Sequence, residues 1–170
     1  MSDPRYPIGR FEWSGAANSA DRRRWMEEIA QTPAQLRAAV AGLTEQQLEI
    51  PYREGGWTIR QVAHHLADSH INSYVRFRLA LTEDSPIIKP YDEKRWADLP
   101  DARSGPLEPS LRLLESLHAR WVELLRQLSP SDWDREFVHP EHSAASSLSR
   151  TLALYAWHGR HHIAQIRCVR

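Results

Sequence analysis

Apolar residues recur along this chain at intervals of three and four, and a two-residue alternation is nowhere sustained. Helices rather than strands are therefore expected throughout. Four segments carry the helical period. The first covers residues 20–43, with Pro33 either kinking it or opening its second half after Thr32. Gly42 and Thr44, then Pro51 and the Gly55-Gly56 pair, end it and lead through a loop. The second opens at Trp57-Thr58, with Thr58 as N-cap, and runs to Glu83 ahead of Pro86. Ile59, Val62, Leu66, Tyr74 and Phe77 form its apolar stripe. The third spans residues 109–128 on Leu111, Leu114, Leu117, Trp121, Leu124, Leu125 and Leu128. The fourth runs from Ser147 to the C-terminal end, and one face collects Leu148, Leu152, Tyr155, Gly159, Ile166 and Val169.

Between the second and third helices, residues 85–109 hold five prolines: Pro86, Pro90, Pro100, Pro106 and Pro109. A loop of that length inside a domain is unusual and is often functional. The run Tyr91-Asp92-Glu93-Lys94-Arg95-Trp96 argues against a floppy tether and for a candidate lid. Four long amphipathic helices with no strand pattern predict an all-α protein, an antiparallel four-helix bundle. Residues 1–170 are expected to form one domain with this long Pro-rich loop between its second and third helices.

Composition narrows the function. The 170 residues carry 22 Lys+Arg against 22 Asp+Glu, so formal net charge is zero. That balance supplies no electrostatic footprint for nucleic acid or an anionic membrane. No apolar stretch approaches the roughly 20 residues that span a bilayer. Residues 1–13 place Pro and charge where a signal peptide needs an apolar run, and Cys168 has no cysteine to pair with. A cytoplasmic protein acting on a small molecule is the expectation.

Nine histidines stand out, and they cluster: His64, His65 and His70 in the second helix, His158, His161 and His162 in the fourth. By helical phase His158 and His162 fall on or beside the apolar face, whereas His161 points toward the flank. Spacing of i, i+4 stacks two imidazoles close enough to share one metal ion. Gly159 between them leaves room for something bulky to approach. The pattern is not His-Glu-x-x-His, because Gly159 stands where that motif has its Glu. In the second helix phase alone ranks His70 first as a third ligand, with His65 and His64 on opposite shoulders of the stripe. Three histidines from two helices would leave zinc, nickel or iron with an open position, the arrangement of a catalytic site.

The run of residues 55–70, Gly-Gly-Trp-Thr-Ile-Arg-Gln-Val-Ala-His-His-Leu-Ala-Asp-Ser-His, resembles the first metal-ligand helix of the DinB/YfiT-like proteins. Residues 154–164, Leu-Tyr-Ala-Trp-His-Gly-Arg-His-His-Ile-Ala, resemble the second. Segments at residues 6–11, 79–84, 89–93 and 137–141 are similar to the YfiT branch. Many family members read His-Arg-Gly-Gln where this chain has His162-Ile163-Ala164-Gln165. The resemblance implies a bundle holding one divalent metal, zinc or nickel, on His65, His158 and His162. It thereby displaces His70 from the rank that phase assigns it. His64, His161, Asp68 and Tyr155 are left as candidates to orient a ligand or line a pocket.

The resemblance also implies a homodimeric metal-dependent hydrolase that activates water. The alternative is an S-transferase activating a low-molecular-weight thiol of the bacillithiol type, since both chemistries use a metal-activated nucleophile. A non-catalytic metal-binding bundle is the third reading.

Overall fold

The computed structural model describes residues 3–141 and 144–169. Chain order begins with α1 (Ser19–Val40), a four-residue α2 (Glu45–Leu48) and α3 (Ile59–Thr82). Two short helices follow, α4 (Glu93–Ala97) and α5 (Pro100–Ser104), and then α6 (Leu107–Arg126). A 3-10 turn (Pro130–Asp134), strands β1 (Glu136–Phe137) and β2 (Ser146–Ser147), and α7 (Leu148–Arg167) complete it. The four long helices are those the periodicity predicts. The fourth ends at Arg167, and the expected continuation to residue 170 reaches outside the described residues.

Caps set the helix starts. Thr58 accepts from the Gln61 backbone N–H while the Gln61 side chain accepts from Thr58 N–H, and Asn18 and Asp21 repeat the device on α1. Ser147 caps α7 through the N–H of Arg150. Pro33 lies buried inside α1, which continues past it.

The helices pack in the cyclic order α1–α6–α3–α7. Their contacts fix their directions. Arg22 meets Ser149 and Thr32 faces Gly159, so α1 and α7 run parallel. His64 meets Ser110 and His70 meets His118, so α3 and α6 also run parallel. The α1/α6 pair is antiparallel, with Arg37 on Glu108 and the Ile29 carbonyl on His118. The α3/α7 pair is antiparallel too, with His65 on His158 and Ser69 on Tyr155. Parallel neighbours cannot be joined by a tight turn, and this accounts for the long segment between α3 and α6. It carries the chain back along the bundle and is not a plain loop: α4 and α5 pack on α3, burying Ala97 and Ala102.

The start of α3 holds this crossover. The Arg60 guanidinium, 3% exposed, donates to the Gly105 carbonyl at 2.9 Å and pairs with Glu49 and Glu45. The Gln61 amide donates to the Ala97 carbonyl at 2.8 Å.

The core divides in two. One cluster contains Ile29, Phe77, Trp121, Leu148 and Leu152. The other contains Leu36, Ile59, Leu66, Leu114, Ile163 and Ile166. On every long helix a polar or helix-interrupting residue falls between them: Pro33, His70, His118 and the pair His158 and His162. A histidine layer thus separates two apolar halves.

Candidate metal centre

His65 from α3 and His158 and His162 from α7 converge, with one potential ligand atom from each all within 4.8 Å of one another. The antiparallel α3/α7 contact places them there. The i, i+4 spacing sets His158 and His162 one turn apart on the same face, their rings edge to face with centroids 4.4 Å apart, and His65 reaches across. His158 Nε2 lies 3.3 Å from His65 Nε2 and 3.2 Å from His162 Nε2. Zinc bonds of about 2.0–2.1 Å in a tetrahedral site hold neighbouring nitrogens roughly 3.3 Å apart. The two shorter separations match that span.

The hydrogen bonds behind the rings decide what these nitrogens present. Gln165 donates through its amide N–H to the Arg5 carbonyl (3.4 Å), so its Oε1 is the acceptor of the His162 Nδ1–H at 2.8 Å. The Nε2 of His162 is then a bare lone pair. His158 Nδ1 lies 3.3 Å from His70 Nε2, leaving its own Nε2 toward the cluster. Two such lone pairs 3.2 Å apart, on His158 and His162, repel, and a cation relieves the repulsion. The donor set fits a divalent ion accepted by imidazole. Trp57 packs on His65 with centroids 4.7 Å apart.

Burial, reinforced by the other imidazoles, holds His158 and His162 well below the ordinary histidine range, and burial first pushes His65 down to about 4. All three are neutral at pH 7, the form that binds metal.

The remaining sequence candidates divide. Tyr155 is buried with its ring 5.4 Å from that of His158 and its hydroxyl 3.4 Å from Ser69 Oγ. His161 stacks on Trp157 at 4.4 Å, accepts from the Gln165 amide at 3.1 Å and sets its ring edge-on to that of His162, 5.0 Å between centroids, behind the centre. His64 turns away from the cluster: its Nδ1 meets Ser110 Oγ at 2.7 Å and its Nε2 the Gly105 carbonyl at 3.3 Å, so it pins the crossover. Asp68 is half-buried, and no histidine hydrogen-bonds its carboxyl among the described residues. Burial, then Asp101, raises that carboxyl to about 6. His70, which phase ranks first, stands behind His158 instead of beside it. The room at Gly159 is filled by Thr32 of α1.

Gln165 and His118 escaped the sequence reading. Gln165 sits at i+3 from His162, a spacing that could have marked it. His118 is a lone histidine among leucines and carries no such signal.

A cavity of about 1230 Å³ opens beside His158, lined by Ser69, Tyr155, Arg76, Tyr91, Glu93 and Arg150 among others. The lid candidate therefore forms one wall. The Tyr91 hydroxyl is buried, and burial raises it, as it does Tyr155. Protein crowding raises the Glu93 carboxyl although the residue keeps solvent contact at the rim. No helix among the described residues is long and apolar enough to cross a membrane.

Fold and centre together define a four-helix bundle whose α3/α7 interface gathers three neutral histidines beside an open cavity. The chain belongs to the DinB superfamily, whose family model matches residues 28–166. A relative from Bacillus mycoides (strain KBAB4), named "Putative metal-dependent hydrolase", is 51% identical over 170 residues, 100% of this chain and 97% of its own. One from Oceanobacillus iheyensis, similarly named, is 51% identical over 162 residues, covering 95% of this chain and 93% of its own. The solved structure of YfiT from Bacillus subtilis superposes with a TM-score of 0.96 at 46% identity, over 98% of this chain and 95% of that one. YfiT is described as "a probable metal-dependent hydrolase with an unusual four-helix bundle topology".

Proposed function

We propose that His65, His158 and His162 hold one divalent cation, zinc before nickel, and that the protein is a metal-dependent hydrolase of a small molecule admitted through the cavity beside His158. The observation that carries this reading is the convergence of three neutral imidazoles, two with Nδ1 already committed elsewhere, at the edge of an open cavity. The names of the relatives support the same class.

A cation at such a site supplies Lewis acidity and lowers the pKa of a coordinated water toward about 7. The chain supplies the rest. Glu93, on the cavity wall, takes the proton of the attacking water on its carboxylate and returns it to the leaving group; its raised pKa suits both transfers. The Tyr155 hydroxyl accepts from Ser69 and keeps its own proton, which it donates to the substrate carbonyl oxygen. Arg76 lines the same wall and lowers both Glu93 and Tyr155 through its charge, so it opposes complete neutralisation of Glu93.

The test uses untagged protein, stripped and reloaded with zinc, on a panel of esters and amides. Turnover should appear with zinc, vanish in His158→Ala and fall roughly 100-fold or more in Glu93→Gln. Silence across the panel, with a sulfur-to-cobalt charge-transfer band when a thiol is added to the cobalt form, would replace hydrolysis by thiol transfer.

A further inference from the structure

Three imidazoles and one carbonyl form an unbroken line from the centre to the far side of the bundle. His158 Nδ1 lies 3.3 Å from His70 Nε2, His70 Nδ1 lies 2.8 Å from His118 Nε2, and His118 Nδ1 lies 2.7 Å from the Ile29 carbonyl oxygen. His70 is 0% and His118 2% exposed, so neither ring has water to offer it other partners. The His70 and His118 rings lie nearly parallel, their planes only 17° apart and their centroids 4.9 Å apart, as an in-plane hydrogen bond between the facing nitrogens requires.

The direction of every proton in this line follows from its last atom. A carbonyl oxygen only accepts, so His118 Nδ1 must donate. A neutral His118 then has a lone pair on Nε2 and must accept from His70 Nδ1–H. By the same step His70 Nε2 accepts from His158 Nδ1–H, and the lone pair of His158 is left on Nε2, facing His65 and His162.

The carbonyl is available because of a proline. In an α-helix the C=O of residue 29 accepts from the N–H of residue 33, and Pro33 has none. The helix continues through Pro33, and His118 supplies the donor that Ile29 lacks. We infer that Pro33, the Ile29 carbonyl, His118 and His70 form a relay that fixes the tautomer of His158, holding its Nε2 lone pair toward the metal centre. His70 and His118 are positioning residues. Their work is to remove the alternative tautomer, in which Nε2–H would point at His65 and His162 and repel a cation. The value of this pre-orientation for metal uptake rests on the metal-centre reading above; the tautomers do not.

The experiment is long-range 1H–15N correlation on the full-length, metal-free protein labelled at histidine, followed by cobalt titration of the same samples. The wild type should show His158, His70 and His118 as Nδ1–H tautomers. His70→Phe keeps a ring but offers no acceptor; it should mix the His158 tautomers and weaken cobalt binding roughly 10- to 100-fold. His70→Gln, whose amide oxygen can accept from His158, should restore most of both. Pro33→Ala, a substitution that favours helix, returns the N–H that competes for the Ile29 carbonyl and should mix the tautomers of His118. Loss of packing alone would lower stability without moving these spectra. An Nε2–H signal for His158 in the wild type, or unchanged His158 tautomers in folded His70→Phe, would overturn the relay. Correct tautomers in a protein that takes up no cobalt would uphold the relay and overturn the metal centre.

Discussion

Thr32 of α1 and Gly159 of α7 touch so closely that a Cβ on Gly159 would lie 2.8 Å from Thr32 Oγ1 and 2.9 Å from its Cγ2. The contact brings two parallel helices together beside His158. Gly159→Ala is expected to destabilise the protein by about 1–3 kcal/mol, because the backbone of α7 must withdraw. Thr32→Ala removes both crowded atoms and should recover most of that loss. Urea denaturation of the four members of a double-mutant cycle measures the coupling, and additive effects would contradict the contact.

Adjacent histidines on α3 should behave oppositely. His65→Ala, like His162→Ala, is expected to lower metal affinity by more than the roughly 10- to 100-fold scale of orienting groups. His64→Ala frees Ser110 and the Gly105 carbonyl and should cost about 1–3 kcal/mol of stability while leaving metal content unchanged. Metal analysis by mass spectrometry, paired with thermal unfolding, separates the two.

Acid should unfold the protein through its buried histidines. Burial, partly offset by the bond to the Ile29 carbonyl, pushes His118 down to about 4, from 6.5 in an unfolded chain. The unfolded state therefore binds more protons between those values. This stability is fully present above pH 6.5 and is lost as pH falls toward 4, on the order of 3 kcal/mol. In metal-free protein, His118→Gln should flatten the pH dependence over that window. An unchanged slope would place the acid lability elsewhere.

Asp68 has the opposite sign. Burial raises its carboxyl from 3.8 to about 6, so the folded state holds its proton more tightly than the unfolded chain does. The resulting stability is present below pH 3.8 and is lost as pH rises through 6. Asp68→Asn should thus stabilise the protein at pH 8 by on the order of 1 kcal/mol and show a smaller gain at pH 4.5. Denaturant midpoints at the two pH values test it.

The long helices, the Thr58 cap and the clustering of histidines were legible because each is a local pattern: period 3.6, a Thr three residues ahead of Gln, imidazoles four residues apart. Phase alone nevertheless placed His70 ahead of His65. A helical wheel locates the centre of an apolar stripe, whereas a shared centre depends on which shoulder of that stripe meets the neighbouring helix. The motif resemblance pointed to His65 because it carries tertiary information that periodicity lacks.

What the sequence determined by itself is therefore the set of four amphipathic helices and the i, i+4 pair His158 and His162, with His65 added by the family resemblance. Only the tertiary structure decided the parallel pairing of α3 with α6, which turns the proline-rich segment from a loop into a crossover and a cavity wall. It also decided that His118 and the carbonyl left free by Pro33 stand behind His70. The reason is physical: hydrogen-bond direction is passed through space from one helix to the next, and residues 29, 70, 118 and 158 are neighbours only once the helices pack.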